Sequence, residues 1–194
     1  MNKKYIVIVT GAPATGKTTY GRKISKELGI PFFSKDRIKE ILYDFLDNKN
    51  LKYEDKQKIG VSSYAILYYQ AEELMKVGIS FILESNFVKK SSEILKKLIM
   101  DYSYTCITIR FEAELRTLYK RFLMRENLPE RHPCLISNGV FDDFEAFKNM
   151  SDTNKEFKIN KDEIIVDSTD FSNINLEEIV REIKKKMTKE ENNV

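Results

Sequence analysis

The chain is poor in cysteine and histidine and has no long apolar run, and each shortage closes off a class of function. Only two cysteines occur in 194 residues, Cys106 and Cys134, with neither a CxxC spacing nor histidines beside them. That pattern excludes a disulfide framework and a thiolate zinc site, and it reads as free thiols of a reducing, cytoplasmic compartment. His132 is the sole histidine, and no cluster of histidine, cysteine and carboxylate residues suggests a protein-held transition metal. Net charge is also small: 33 basic against 30 acidic residues leave +3. Such a balance supplies no bulk field for nucleic acid, although it leaves room for a local basic groove. The longest apolar stretches, near Tyr5–Val9 and Ile79–Leu83, fall far short of the roughly 20 residues that span a bilayer. The N-terminal MNKKYIVIVTGAP starts basic but lacks a small-residue cleavage site, so it reads as a strand and not as a signal peptide. Neither an internal repeat nor a low-complexity linker is visible, and a chain of this length is most simply one domain, residues 1–194.

What is present is an α/β pattern. Short continuous apolar segments at 4–10, 31–34, 79–84, 104–110 and 163–167 read as buried parallel strands. Longer amphipathic segments fall between them, at 17–28, 36–45, 56–77, 91–101, 112–126, 141–150 and 175–189. Tyr20, Ile24 and Leu28 recur every fourth residue ahead of Gly29, and Ile38, Ile41, Leu42 and Phe45 form a second stripe. Five strands with helices between them predict a three-layer α/β domain with a parallel sheet. Tyr43, Phe45, Tyr53, Tyr64, Tyr68 and Tyr69 crowd the middle of the chain, where helix core is the plainer reading and a stacking pocket the sharper one.

The sharpest local signal is Gly11-Ala12-Pro13-Ala14-Thr15-Gly16-Lys17-Thr18-Thr19, lying where the first strand pattern gives way to the first helix pattern. This is GxxxxGK[ST] in the strand-to-helix context that a phosphate-binding loop requires. Its glycines let successive N–H groups turn inward onto an anion, and the helix after Gly16 aims its positive end at the same place. Lys17 would bridge the β- and γ-phosphates and the Thr18 hydroxyl would hold Mg²⁺. The four fixed positions would match somewhere by chance about once in a hundred such chains, and the flanking pattern lowers that further. A nucleotide site over residues 11–19 is therefore expected, with ATP favoured because no guanine-reading NKxD motif is present.

A nucleotide loop alone does not separate kinases from hydrolases and switches, and four further segments bear on that choice. They are FFSKDRIKE at 32–40, ISFILESNF at 79–87, LRTLYKRFLMRENLPERHP at 115–133 and IIVDSTDF at 164–171. With the glycine loop, they make the chain resemble the P-loop kinase group of polynucleotide kinase, chloramphenicol phosphotransferase, the zeta toxins and shikimate kinase. The resemblance spans roughly residues 4 to 170. It implies the three-layer P-loop fold with strand order 2-3-1-4-5 and a helical lid near residues 112–140. It also implies that Asp36 orients or deprotonates an acceptor hydroxyl, with Arg37 nearby; the plain alternative is that Asp36 caps the helix beginning RIKEIL. Glu84 looks like the carboxylate that orders water around Mg²⁺, although related enzymes usually carry aspartate there. A contact to the acceptor, or a carboxylate simply emerging into solvent, stays open for Glu84, and Asn86 is a further acceptor contact. Arg121, Arg125 and Arg131 correspond to lid arginines that reach the phosphates, against the ordinary reading of solvated helix charges. Leu115, Leu118, Phe122 and Leu123 would be the buried stripe of the same helix. Ser168 and Thr169 fall where the adenine ring passes, in a sequence that is also common turn chemistry. His132 reads as a loop residue.

Together these imply an ATP-dependent kinase that transfers the γ-phosphoryl group to a hydroxyl acceptor. Lys35, Arg37 and Lys39 are offset by Glu40, Asp44 and Asp47, which favours a small-molecule acceptor over a nucleic-acid 5′-hydroxyl. The rival is a nucleotide-binding regulatory or toxin-like module whose partner is a protein. The acceptor and the oligomeric state are not legible.

Overall fold

The protein, in a computed structural model, is described over residues 4–46, 51 and 53–189. Asp47, the Tyr53 side chain and the polar end after Lys189 lie outside the described residues. Among those residues five strands form one parallel sheet: β1 (Tyr5–Gly11), β2 (Phe32–Ser34), β3 (Phe81–Glu84), β4 (Thr105–Glu112) and β5 (Ile164–Asp167). Their order is β2-β3-β1-β4-β5, as the resemblance implied. The helices are α1 (Lys17–Leu28), α2 (Lys35–Phe45), α3 (Tyr53–Lys76), α4 (Lys89–Asp101), α5 (Leu115–Glu126), α6 (Phe144–Lys155) and α7 (Leu176–Lys189). Among the described residues no helix is long and apolar enough to cross a membrane.

Strand alternation divides the core. Val7 and Val9 of β1 pack with Ile24 of α1 and with Ile179, Val180 and Ile183 of α7. Ile6 and Ile8 point the other way, onto Leu67, Ala71 and Met75 of α3 and Leu95 of α4. Period-two side-chain alternation on a strand covered on both faces therefore produces the three layers. β5 departs from the continuous burial expected of it: as an edge strand it buries Val166 and leaves Ile165 exposed.

Several boundaries shift for identifiable reasons. Residues 112–114, expected to open a helix, instead finish β4 and link it to α5, because β4 pairs with β1 out to Phe111 and with β5 out to Glu112. α6 starts at Phe144, where the Asp143 carboxylate accepts from the Ala146 N–H at 3.0 Å and caps the helix. On α2 the buried residue is Tyr43, whereas Ile41 and Phe45, expected in the buried stripe, are exposed. Of the crowded aromatics, Tyr64 and Tyr68 pack against the second core and Tyr69 is exposed.

A polar node sits inside this otherwise apolar frame. Arg110 of β4 donates to both oxygens of Glu163, at 2.7 and 3.1 Å, and to the Phe157 carbonyl at 2.6 Å. It also reaches the Asn154 side chain, whose amide donates to the Thr10 hydroxyl and the Phe87 carbonyl. That node ties β1, β4 and α6 together behind the C-terminal edge of the sheet.

Candidate active site

The loop between β1 and α1 is built by backbone conformations that few residues tolerate. Gly11 has φ +148°, and a Cβ there would lie 2.3 Å from the Phe111 carbonyl oxygen. Gly16 has φ +81° and would meet the Phe171 ring at 2.8 Å. Ala14 is also left-handed, at φ 66°, which costs a non-glycine residue about 1–2 kcal/mol. It is held there by packing with Leu118, Phe122 and Phe147. Thr15 bonds the Ala12 carbonyl at 2.9 Å, and the Lys17 ammonium folds back to the same oxygen at 3.4 Å. Thr19, in the first turn of α1, is exposed.

Two carboxylates stand at or just beyond the ends of neighbouring strands β3 and β2. Glu84 closes β3, in register with Val9 of β1 and Ser34 of β2, and is buried with one carboxylate oxygen lacking a hydrogen-bond partner. Burial pushes its carboxyl above the usual range against the pull of Lys17, and Asp36 adds to the rise while Ser34 and Thr18 oppose it. Glu84 therefore does not emerge into solvent. Burial likewise lowers the Lys17 ammonium, with Glu84 and Asp36 countering.

Asp36 is the second residue of α2, and the helix cap is Ser34, so the capping reading falls away. Its carboxylate takes an ion pair from Lys35 at 3.2 Å and is 45% exposed. Partial loss of water around it works to raise its pKa, but Lys35, Lys17 and Lys39 together hold the carboxyl below the ordinary aspartate range.

Lys17, Thr18, Asp36, Asn86, Arg125 and Arg131 line one cleft of about 310 Å³. The structure thus brings together most of the expected constellation, while neither the buried Glu84 nor Arg121 is among the described residues that line the cleft. Arg121 turns away to the loop after β5, donating to the Ser168 and Thr169 carbonyls at 2.7 and 2.8 Å. Its guanidinium also lies 3.9 Å over the Phe171 ring. It braces the segment expected beside adenine and does not join the cleft. The Ser168 hydroxyl bonds the Glu112 carbonyl and the Thr169 hydroxyl accepts from the Glu114 N–H, so both are engaged within the protein.

The expected lid is only partly helical. After α5 the chain runs through a short 3-10 turn at Pro133–Leu135 before α6. His132, read from sequence as an ordinary loop residue, links this segment to α2, its Nε2 lying 2.9 Å from Asp44. Its Nδ1 accepts the Cys134 N–H, which leaves Nε2 as the donor to Asp44. Lys39 donates to the Cys134 carbonyl at 2.6 Å and makes a second tie. Lys39 and Lys56 also line the cleft. No motif marks Lys56, and nothing in the sequence singles it out. A roomier hollow of about 900 Å³ beside α7 carries the exposed charges Glu27, Glu177, Arg181 and Lys184, without a buried polar group. The smaller cleft is the one where the glycine loop and the buried charges meet.

The donors present suit a hard cation shared with phosphates. The Thr18 hydroxyl and the unpartnered oxygen of Glu84 are donors of the type magnesium prefers and could hold such an ion. Among the described residues no group of three histidine, cysteine or acidic side chains converges as a protein-only metal site.

The sequence profile of the AAA domain family matches residues 6–148. The chain belongs to that family. Among solved structures it is similar to a protein from Chloroflexus aurantiacus J-10-fl described as a "putative kinase", with a TM-score of 0.83 and 29% identity over 95% of this chain and 98% of that one. It shares its fold with a gluconokinase from Sinorhizobium meliloti, at TM-score 0.54 and 17% identity over 97% of this chain and 93% of that one. The same holds for a shikimate kinase from Bacteroides thetaiotaomicron, at TM-score 0.56 and 13% identity over 94% and 97% of the two chains. No curated protein matches the chain.

Proposed function

We propose that the protein is an ATP-dependent kinase that transfers the γ-phosphoryl group to a hydroxyl of a small molecule held at Asp36. The observation that carries this reading is the meeting of Lys17, Thr18, Asp36 and Arg125 in one cleft. A bare hydrolase needs no such pocket beside its phosphate loop. The kinase-like fold and the 29% identical neighbour support it.

In this reading the backbone of residues 11–16 and the start of α1 hold the β- and γ-phosphates, and Lys17 and Arg125 face the charge that spreads over the transferring group. Magnesium, held by Thr18 and through the Glu84 side, would neutralise part of the phosphate charge. The acceptor oxygen bonds to the γ-phosphorus, the bond from that phosphorus to the β–γ bridging oxygen breaks, and ADP leaves with the electron pair. The hydroxyl proton passes to Asp36 and on to water. An anionic Asp36 with a depressed pKa is a weak base, yet it suffices where the transition state is loose and the proton leaves late. Its main contribution is to hold the hydroxyl in line. Residues 127–143, tied to α2 through His132 and Lys39, act as the cover that keeps water out, within a single kinase domain.

The test is acceptor-dependent ATP consumption over a panel of polyols, hydroxy acids, sugar phosphates, nucleosides and 5′-hydroxyl oligonucleotides. The kinase reading expects one class to raise the rate by at least about tenfold over water alone. A rate indifferent to every acceptor, or raised only by a protein partner, contradicts it.

A further inference from the structure

Six cationic side chains line the cleft: Lys17, Lys35, Lys39, Lys56, Arg125 and Arg131. Asp36 is the only carboxylate among the described residues that line it. The phosphoryl-transfer reading above accounts for half of these cations. Lys17 belongs to the phosphate loop, Arg125 shares its electrostatic field, and Lys35 is committed to Asp36.

Lys39, Lys56 and Arg131 remain. Lys39 donates one hydrogen to the Cys134 carbonyl and keeps two others. Among the described residues no acid pairs with Lys56. Arg131 reaches the Leu135 carbonyl at 3.0 Å and Glu126 at 3.5 Å, while its Nε is buried without a partner. Ser137, also in the cleft wall, has a buried hydroxyl with no partner. Burial lowers the Lys39 ammonium, and Lys35 and Lys56 lower it further, so these charges press on one another. Like charges crowded out of bulk water are costly unless an anion joins them.

The excess is local. The adjoining hollow, which shares Asp36, Arg125 and Arg131, sets Arg22 and Arg37 against Glu40 and Glu130. The Arg37–Glu40 pair closes at 2.9 Å, and Asp44 is engaged by His132. In that hollow the charge is therefore balanced, and among its described residues no basic stripe continues outward to follow a nucleic-acid strand. A volume near 310 Å³ suits one compact molecule.

We infer that the acceptor is a small alcohol bearing its own phosphate or carboxylate, which seats on Lys39, Lys56 and Arg131 while its hydroxyl lies at Asp36. This rests on the kinase reading, and the experiment separates the two. The protein is first saturated with magnesium and a non-hydrolysable ATP analogue, which fills the phosphate loop, and inorganic phosphate is then titrated by calorimetry. Saturable binding of a second anion is expected. It should weaken at least about tenfold in Lys39→Gln/Lys56→Gln, with the affinity for the ATP analogue held within about twofold. A turnover panel of sugar phosphates, hydroxy carboxylates, matched neutral polyols and a 5′-hydroxyl oligonucleotide identifies the source of the anion, with acceleration expected from one of the first two. Absence of second-anion binding on the analogue-loaded protein, an unchanged phosphate affinity in the folded double variant, or acceleration only by neutral polyols or the oligonucleotide overturns the inference and leaves the kinase reading standing. Failure of the ATP analogue to bind overturns both. If no panel member is turned over, the phosphate titration decides.

Discussion

At the scale of single residues, the decisive contrast is between two carboxylates, Glu84 at the end of β3 and Asp36 in the first turn of α2. Glu84 is sealed in and pushed toward neutrality by burial, whereas Asp36 stays anionic because Lys35, Lys17 and Lys39 outweigh the same tendency. Asp36→Asn removes the charge and keeps the shape. Calorimetry should show ATP affinity within about twofold of the parent, while acceptor-dependent transfer falls by about 10²–10⁴, the usual worth of a positioned proton acceptor. Transfer within a few-fold of the parent would remove Asp36 from the chemistry. The thiols give a pH prediction. Burial pushes Cys106 up to about 12 and Cys134 up to about 11. Both stay protonated at pH 8, and the thiolate share rises about tenfold per pH unit until those values are reached. Iodoacetamide at pH 8 should label the native protein far more slowly than free cysteine; fast labelling of the folded chain would contradict that burial. What was legible at this scale was whatever a motif fixes, as with Lys17, Thr18 and Asp36. Lys39 was visible but was cancelled against Glu40 and Asp44, because a linear tally of charge ignores which face each side chain takes. Both of those acids are engaged with Arg37 and His132.

At the scale of elements, α5 shows how far a spacing can be trusted. The resemblance to kinase lids implies that Arg121 and Arg125, four residues apart, both reach the phosphates. Four residues of helix carry the chain about 6 Å along the axis. That rise takes Arg121 to the loop after β5 and Arg125 to the cleft. The buried stripe held better, with Leu118 and Phe122 in the core and Leu115 and Leu123 partly buried beside them. The glycine loop was the most legible element, since its conformation admits few sequences. Gly11→Ala places a methyl group 2.3 Å from the Phe111 oxygen at φ +148°. Backbone strain of this kind costs about 1–3 kcal/mol. Urea denaturation should register that loss, and nucleotide titration should show weakened binding with it. An unchanged midpoint with full nucleotide affinity would mean the loop relaxes freely.

At the scale of the whole molecule, alternating apolar segments were enough to predict a layered α/β sheet, because buried parallel strands and amphipathic helices carry different periodicities. The strand order came from the likeness of four motifs to known kinases, since period and composition do not specify which strands are neighbours. The Arg110–Asn154–Glu163 node was invisible, as no local pattern announces that a charge on a strand will be buried with its partner some 50 residues on. Arg110→Ala leaves Glu163 and Asn154 without their donor, and breaking such a buried pair costs roughly 3–5 kcal/mol. Denaturant melts should show that loss, while the folded fraction keeps the ATP affinity of the parent. A loss under about 1 kcal/mol would place the node outside the stabilising frame.

The claim on which the rest depends is that the γ-phosphoryl group goes to an alcohol and not to water. ³¹P NMR of the reaction with magnesium, ATP and each accelerating acceptor follows that group directly. A phosphomonoester resonance growing in equal amount with ADP is the predicted result. Inorganic phosphate as the only product, formed at the same rate with and without acceptor, would contradict it.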